Sequence, residues 1–85
     1  MRVVLITGAS SGIGLATAKK LACFGFNLIL CGRNEKRLVD LKNSLSKLTN
    51  VVCLIFDVRY KNDVFKQIGS LNGEWRNVEI LINNA

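Results

Sequence analysis

The stretch Thr7-Gly8-Ala9-Ser10-Ser11-Gly12-Ile13-Gly14 restricts what this chain can become more than any other. An apolar run, Val3-Val4-Leu5-Ile6, leads straight into it, and a helical pattern from Ile13 to Phe24 leads out. A strand, a glycine-rich turn and a helix in that order form a phosphate-binding device. The turn gathers backbone N–H groups at one point, and the helix N-terminus adds a partial positive charge. Gly8 permits the sharp exit from the strand. Gly12 lets a pyrophosphate approach bare backbone, because a Cβ there would collide with it, and Gly14 lets the new helix lie close on the strand. The backbone of Gly8, Ala9, Ser10, Ser11, Gly12, Ile13 and Gly14 is therefore expected to border a dinucleotide.

The remaining pattern surrounds this device with a parallel sheet. Leu15, Ala18, Leu21, Ala22 and Gly25 recur at helical spacing, with Gly25 as the expected stop. Asn27-Leu28-Ile29-Leu30-Cys31 reads as a second strand. Asn34 is placed to cap a second helix whose stripe is Leu38, Leu41, Leu45 and Leu48. Val51 to Phe56 reads as a third strand. A third helix carries Val64, Phe65, Ile68 and Leu71, with Asn62 or Asp63 as its expected cap. Asn72-Gly73 breaks that helix, and Val78-Glu79-Ile80-Leu81-Ile82 reads as a fourth strand. Strands alternating with helices across short connections predict right-handed crossovers. The expected fold is α/β: a Rossmann-type parallel sheet of strand order 3-2-1-4, helices on both faces, part of a doubly wound domain.

Composition removes several function classes. Eighty-five residues hold one domain at most. No apolar run approaches the roughly 18 residues of a membrane helix, and the start lacks the long apolar region of a secretion signal, so a cytoplasmic chain is expected. Cys23, Cys31 and Cys53 form no Cys-x-x-Cys, and the chain has no histidine, which leaves no common metal or redox pattern. Cys31 and Cys53 lie in apolar runs and read as small buried hydrophobes. The net charge of +6 is spread over helix-surface positions such as Lys19, Lys20, Lys36, Lys42, Lys47 and Lys66. That distribution argues against a nucleic-acid surface and suits a phosphorylated cofactor.

Thr7-Gly8-x-x-x-Gly12-Ile13-Gly14 resembles the short-chain dehydrogenase/reductase family. Leu71 with Glu74-Trp75-Arg76-Asn77, and Gly32-Arg33, are similar to its NADP-dependent 3-hydroxy acid (serine-type) branch. The resemblance implies an oxidoreductase that moves a hydride between a nicotinamide and an alcohol or carbonyl. It also implies a small alcohol or carbonyl substrate, and a homo-oligomer at full length.

At the second strand's end, an NAD site usually places a carboxylate for the ribose hydroxyls. Here Cys31-Gly32-Arg33 offers none, and Arg33 can clamp a 2′-phosphate with a bidentate, charge-assisted bond. Ser10, Ser11 and Asn34 can add neutral hydrogen bonds. NADP is thus expected over NAD. Asp57 can accept from an adenine amino group while the Val58 backbone reads the ring, as the family's Asp-Val pair does. Asn83-Asn84-Ala85 resembles the family's Asn-Asn-Ala-Gly motif, which implies that Asn83 ties strands together and that Asn84 and Ala85 border the ribose.

The family's catalysis needs a Tyr-x-x-x-Lys pair and a serine. Tyr60, the one tyrosine, has Val64 four residues on, so no catalytic residue is assigned. The chain matches only about the first third of the family's usual extent. Residues 1–85 are therefore expected to be the N-terminal part of an NAD(P)-binding domain and to turn nothing over alone. The alternative is a non-catalytic dinucleotide-binding remnant or module.

Overall fold

The structure is a computed structural model that describes residues 2–84. The strands are β1 (Val3–Thr7), β2 (Asn27–Gly32), β3 (Val51–Ile55) and β4 (Val78–Asn83). The helices are α1 (Gly12–Cys23), α2 (Glu35–Leu45) and α3 (Lys61–Gly69), with a short 3-10 helix at Gly73–Arg76. All strand pairs are parallel, in the order β3-β2-β1-β4. β1 and β2 run side by side in register from Val3 opposite Asn27 to Thr7 opposite Cys31.

Alternation along the strands sends side chains to two separate cores. Val4, Ile6, Leu28 and Leu30 pack with Ala18 and Ala22 of α1 and with Leu38, Leu41 and Leu45 of α2. Val3, Leu5, Ile29 and Cys31 point the other way, towards Leu71, with Val64 and Trp75 half-buried against them. The central strands are apolar on both sides because helices cover both sides, as a buried parallel sheet requires. Small residues on α1 bring that helix close to the sheet. α1 then ends in a Schellman motif: Gly25 at φ +83° donates its N–H to Ala22, and Phe26 donates to Leu21.

Three local expectations need correction. α2 ends at Leu45, and Leu48 is exposed rather than part of the stripe. The chain turns there, with the N–H groups of Leu48 and Thr49 both donating to the Leu45 carbonyl, which rotates Leu48 off the buried face. The N-cap of α3 is Tyr60, in extended backbone and without a side-chain cap bond, so neither Asn62 nor Asp63 caps it. Asp63 instead sits in the first turn, where its charge suits the helix dipole. Phe65 and Ile68 are exposed, and the apolar contact of this region comes from Val64, Leu71 and Trp75.

Candidate functional site

The carboxyl ends of all four strands meet one cleft of about 730 Å³, within the range of small-molecule sites. The turn after β1 forms its floor. Gly8 and Gly12 take φ of +62° and +58°, the left-handed region that favours glycine. A Cβ built on Gly12 would meet nothing within 4 Å, so that side of the turn faces open space. A Cβ on Gly14 would collide with the Gly8 carbonyl oxygen and lie 2.9 Å from its carbon. The close approach is thus between the first turn of α1 and the glycine turn itself.

Ser11 is the N-cap of α1 but makes no side-chain cap bond, and the first turn carries no acidic residue. The contrast with α2 is direct, since Asn34 Oδ1 accepts the Arg37 N–H at 3.0 Å. The α1 amides at the cleft therefore face it without the local acceptor that α2 supplies for itself. Gly8, Ser10, Ser11, Gly12, Ile13 and Gly14 all line the cleft. Ala9 does not; it is fully buried, and its N–H donates to the Cys31 carbonyl at 3.2 Å, pinning the turn to β2.

The opposite wall is charged. Arg33 and Asn34 follow β2, and Asp57 and Val58 follow β3. Two further cations, Arg37 and Arg59, also line the cleft, which thus holds three arginines and one carboxylate. Arg59 grips Asp57 through Nε to Oδ1 and Oδ2 (3.1 and 3.0 Å), Nη2 to Oδ2 (2.7 Å), and its backbone N–H to Oδ1 (2.9 Å). Arg33 Nη1 stands 3.7 Å from Asp57 Oδ2. The side-chain bonds from Arg59, then its backbone N–H, hold the Asp57 carboxyl down at about 2. Asp57 is ionised at any ordinary pH and remains an acceptor.

β4 completes the edge. Thr7 Oγ1 donates to Asn83 Oδ1 at 2.9 Å and accepts the Asn84 N–H at 3.2 Å, which brings Asn84 to the cleft. Ala85 lies outside the described residues. Cys31 also borders the cleft, where burial pushes its thiol up to about 12 and keeps it protonated. Among the described residues there is no cluster of His, Cys, Asp and Glu that could hold a metal ion, and no helix is long and apolar enough to cross a membrane.

Sequence reasoning missed Arg37 and Arg59. The signal for Arg59 was Asp57-Val58-Arg59, where an aspartate bonds the backbone N–H two residues on and so folds that residue's side chain back over itself. Arg37 lies in the first turn of a helix whose cap stands at the cleft, a placement that follows once Asn34 is accepted as the cap.

A family model described as short chain dehydrogenase matches residues 2–85. Sulfoacetaldehyde reductase 2 of Chromohalobacter salexigens is 45% identical over 83 residues, covering 98% of this chain and 33% of that protein. An NADP-dependent 3-hydroxy acid dehydrogenase of Escherichia coli is 36% identical over the same coverage. Among solved structures, L-sorbose reductase from Gluconobacter frateurii, complexed with NADPH and L-sorbose, matches with a TM-score of 0.89 at 36% identity. That match covers 99% of this chain and 33% of the reductase. The chain spans about a third of the length of the curated relatives it matches.

Proposed function

The chain belongs to the short chain dehydrogenase family, and from that premise we propose that it binds NADP(H) as the cofactor-binding part of an oxidoreductase. Residues 1–85 are then the N-terminal part of an NAD(P)-binding Rossmann domain. The observation that carries this reading is the cleft itself. It joins a glycine turn with open space at the Gly12 Cβ position to a wall of three guanidiniums at the same sheet edge.

The residues fit the group by chemistry. The amides of Ser11, Gly12, Ile13 and Gly14 hold the pyrophosphate at the α1 N-terminus, where no side chain of the helix competes. Arg33, with Ser10, Ser11 and Asn34 beside it, holds the 2′-phosphate, and Arg37 adds a further positive charge. Asp57 accepts from the adenine amino group, with the Val58 backbone against the ring. Asn84 and Ala85 border the ribose. Bound there, NADP(H) supplies a hydride donor or acceptor for an alcohol or carbonyl substrate.

No residue of this chain is assigned to the chemistry. Tyr60 is exposed at the cap of α3 and has no lysine one helical turn on. Exposed Val78, Ile80 and Leu81 on β4 support the reading that further polypeptide of the same protein packs there. Three cysteines without a disulfide suit a reducing compartment, so the cytoplasm is the proposed location.

Titration with NADPH, NADH and free 2′-phospho-AMP, read by calorimetry, tests the binding reading. NADPH and 2′-phospho-AMP should bind and NADH should bind more weakly. Equal affinity for the two coenzymes would remove NADP(H) as the ligand, and no binding of either would remove the dinucleotide site. The 85-residue chain should oxidise no NADPH with any carbonyl compound, whereas the full-length protein should.

A further inference from the structure

Asp57 places a negative charge 3.7 Å from the guanidinium of Arg33. In a cleft that takes a 2′-phosphate, such a carboxylate is a competitor. It draws Arg33 towards itself, and it repels the phosphate Arg33 is meant to hold. Arg59 offsets both effects. It meets Asp57 with a two-nitrogen fork at 2.7–3.1 Å and adds its backbone N–H at 2.9 Å. A carboxylate offers about four acceptor sites, and Arg59 brings three N–H groups to them, from Nε (shared between both oxygens), Nη2 and its backbone, which leaves one site for the adenine amino group. Arg33 is left at 3.7 Å, beyond hydrogen-bond length, with its side chain 71% exposed.

We propose that Arg59 determines coenzyme choice: by bonding the Asp57 carboxylate through three N–H groups it releases Arg33 to the 2′-phosphate and so favours NADP(H) over NAD(H). This rests on the NADP(H) reading above. Arg59 is a positioning residue, because it acts on the ligand through Asp57 and Arg33. Its fork geometry is the essential feature, since a lysine at the same place would bring one point charge without the two-nitrogen hold on the carboxylate.

The test compares dissociation constants of NADPH and NADH on the full chain by calorimetry. Adenine, pyrophosphate and nicotinamide are common to both ligands, so the ratio of the two constants isolates the 2′-phosphate. The parent should prefer NADPH. Arg59→Gln should lower that preference about two- to fivefold, the range expected of an exposed ion pair. Arg59→Lys should fall between. Adding Asp57→Asn to Arg59→Gln should restore the preference, because the competing charge is then gone. A direct contact between Arg59 and the phosphate would give a loss that Asp57→Asn does not restore, and that result overturns the proposal. So does a preference unchanged in Arg59→Gln. If the parent itself shows no preference, the cofactor reading fails and takes this one with it. The Arg59 side chain is 69% exposed, so the variants should fold, and a melting curve for each checks that they do.

Discussion

The hydroxyl of Thr7 donates to Asn83 Oδ1 at 2.9 Å and accepts the N–H of Asn84 at 3.2 Å. One side chain thus ties the last residue of β1 to the last residue of β4 and the one after it. Among the described residues β4 pairs only with β1, so this tie fixes the carboxyl end of an edge strand. Thr7→Val keeps the shape and removes both bonds. It should lower stability by about 1 kcal/mol, or about 4–8 °C in melting temperature for a chain of this size. Thermal melts monitored by circular dichroism check this. A Thr7→Ser variant should recover most of the loss.

The two glycines at the start of α1 should fail in different ways. Gly14→Ala drives a Cβ into the Gly8 carbonyl group, and the atoms it meets belong to backbone that cannot yield cheaply. The turn must open or the helix must retreat, so loss of stability of about 1–3 kcal/mol or more is expected, with loss of binding. Gly12→Ala meets no protein atom, but it holds an L-residue at φ +58°, a cost of about 1–2 kcal/mol. It should fold, melt somewhat lower and bind NADPH far more weakly, because its methyl points into the space assigned to the pyrophosphate. Paired melts and titrations of the two variants separate packing from ligand contact.

The features legible in the sequence were those set by period and by glycine. β1 to β4, their order and the two-sided burial of β1 and β2 follow from apolar runs alternating with helical stripes, and the turn follows from Gly8, Gly12 and Gly14. The misreadings were set by local geometry. Leu48 continues the leucine spacing, but the chain leaves the helix after Leu45, and spacing alone cannot register a turn. Tyr60 caps α3 through backbone conformation alone, whereas Asn62 and Asp63 carry the side chains that usually announce a cap. In the candidate site, Arg33 and Asp57 were legible singly. Their approach to 3.7 Å, and the fork of Arg59 on Asp57, depend on how the ends of β2 and β3 lie side by side.

Arg33→Ala tests the charge reading of the cleft. A charge-assisted hydrogen bond contributes roughly 1.5–3 kcal/mol, which is about 10- to 150-fold in affinity. NADPH binding should weaken by that factor, while NADH binding, which lacks the 2′-phosphate, should change little. Raising the salt concentration should narrow the difference between parent and variant, because Arg33 is largely exposed. Calorimetry at two ionic strengths gives both results.

The Asp57 carboxyl also predicts an acid response. Its pKa in the fold is about 2 against an ordinary 3.8, because Arg59 bonds its charged form. A carboxyl whose pKa is lowered by folding adds stability above its ordinary pKa and loses it as pH falls towards the folded value. The contribution should therefore be complete at neutral pH and vanish between about pH 4 and pH 2. Asp57→Asn should melt below the parent at neutral pH, and the gap should close across that acid window. A carbon-13 NMR titration of the Asp57 carboxyl should show its midpoint near 2 in the parent and a higher midpoint in Arg59→Gln, still below the ordinary value because the backbone N–H bond and Arg33 remain. A parent midpoint near 3.8 would mean that the Arg59 fork does not persist in solution, and so would a stability gap that stays constant through the window.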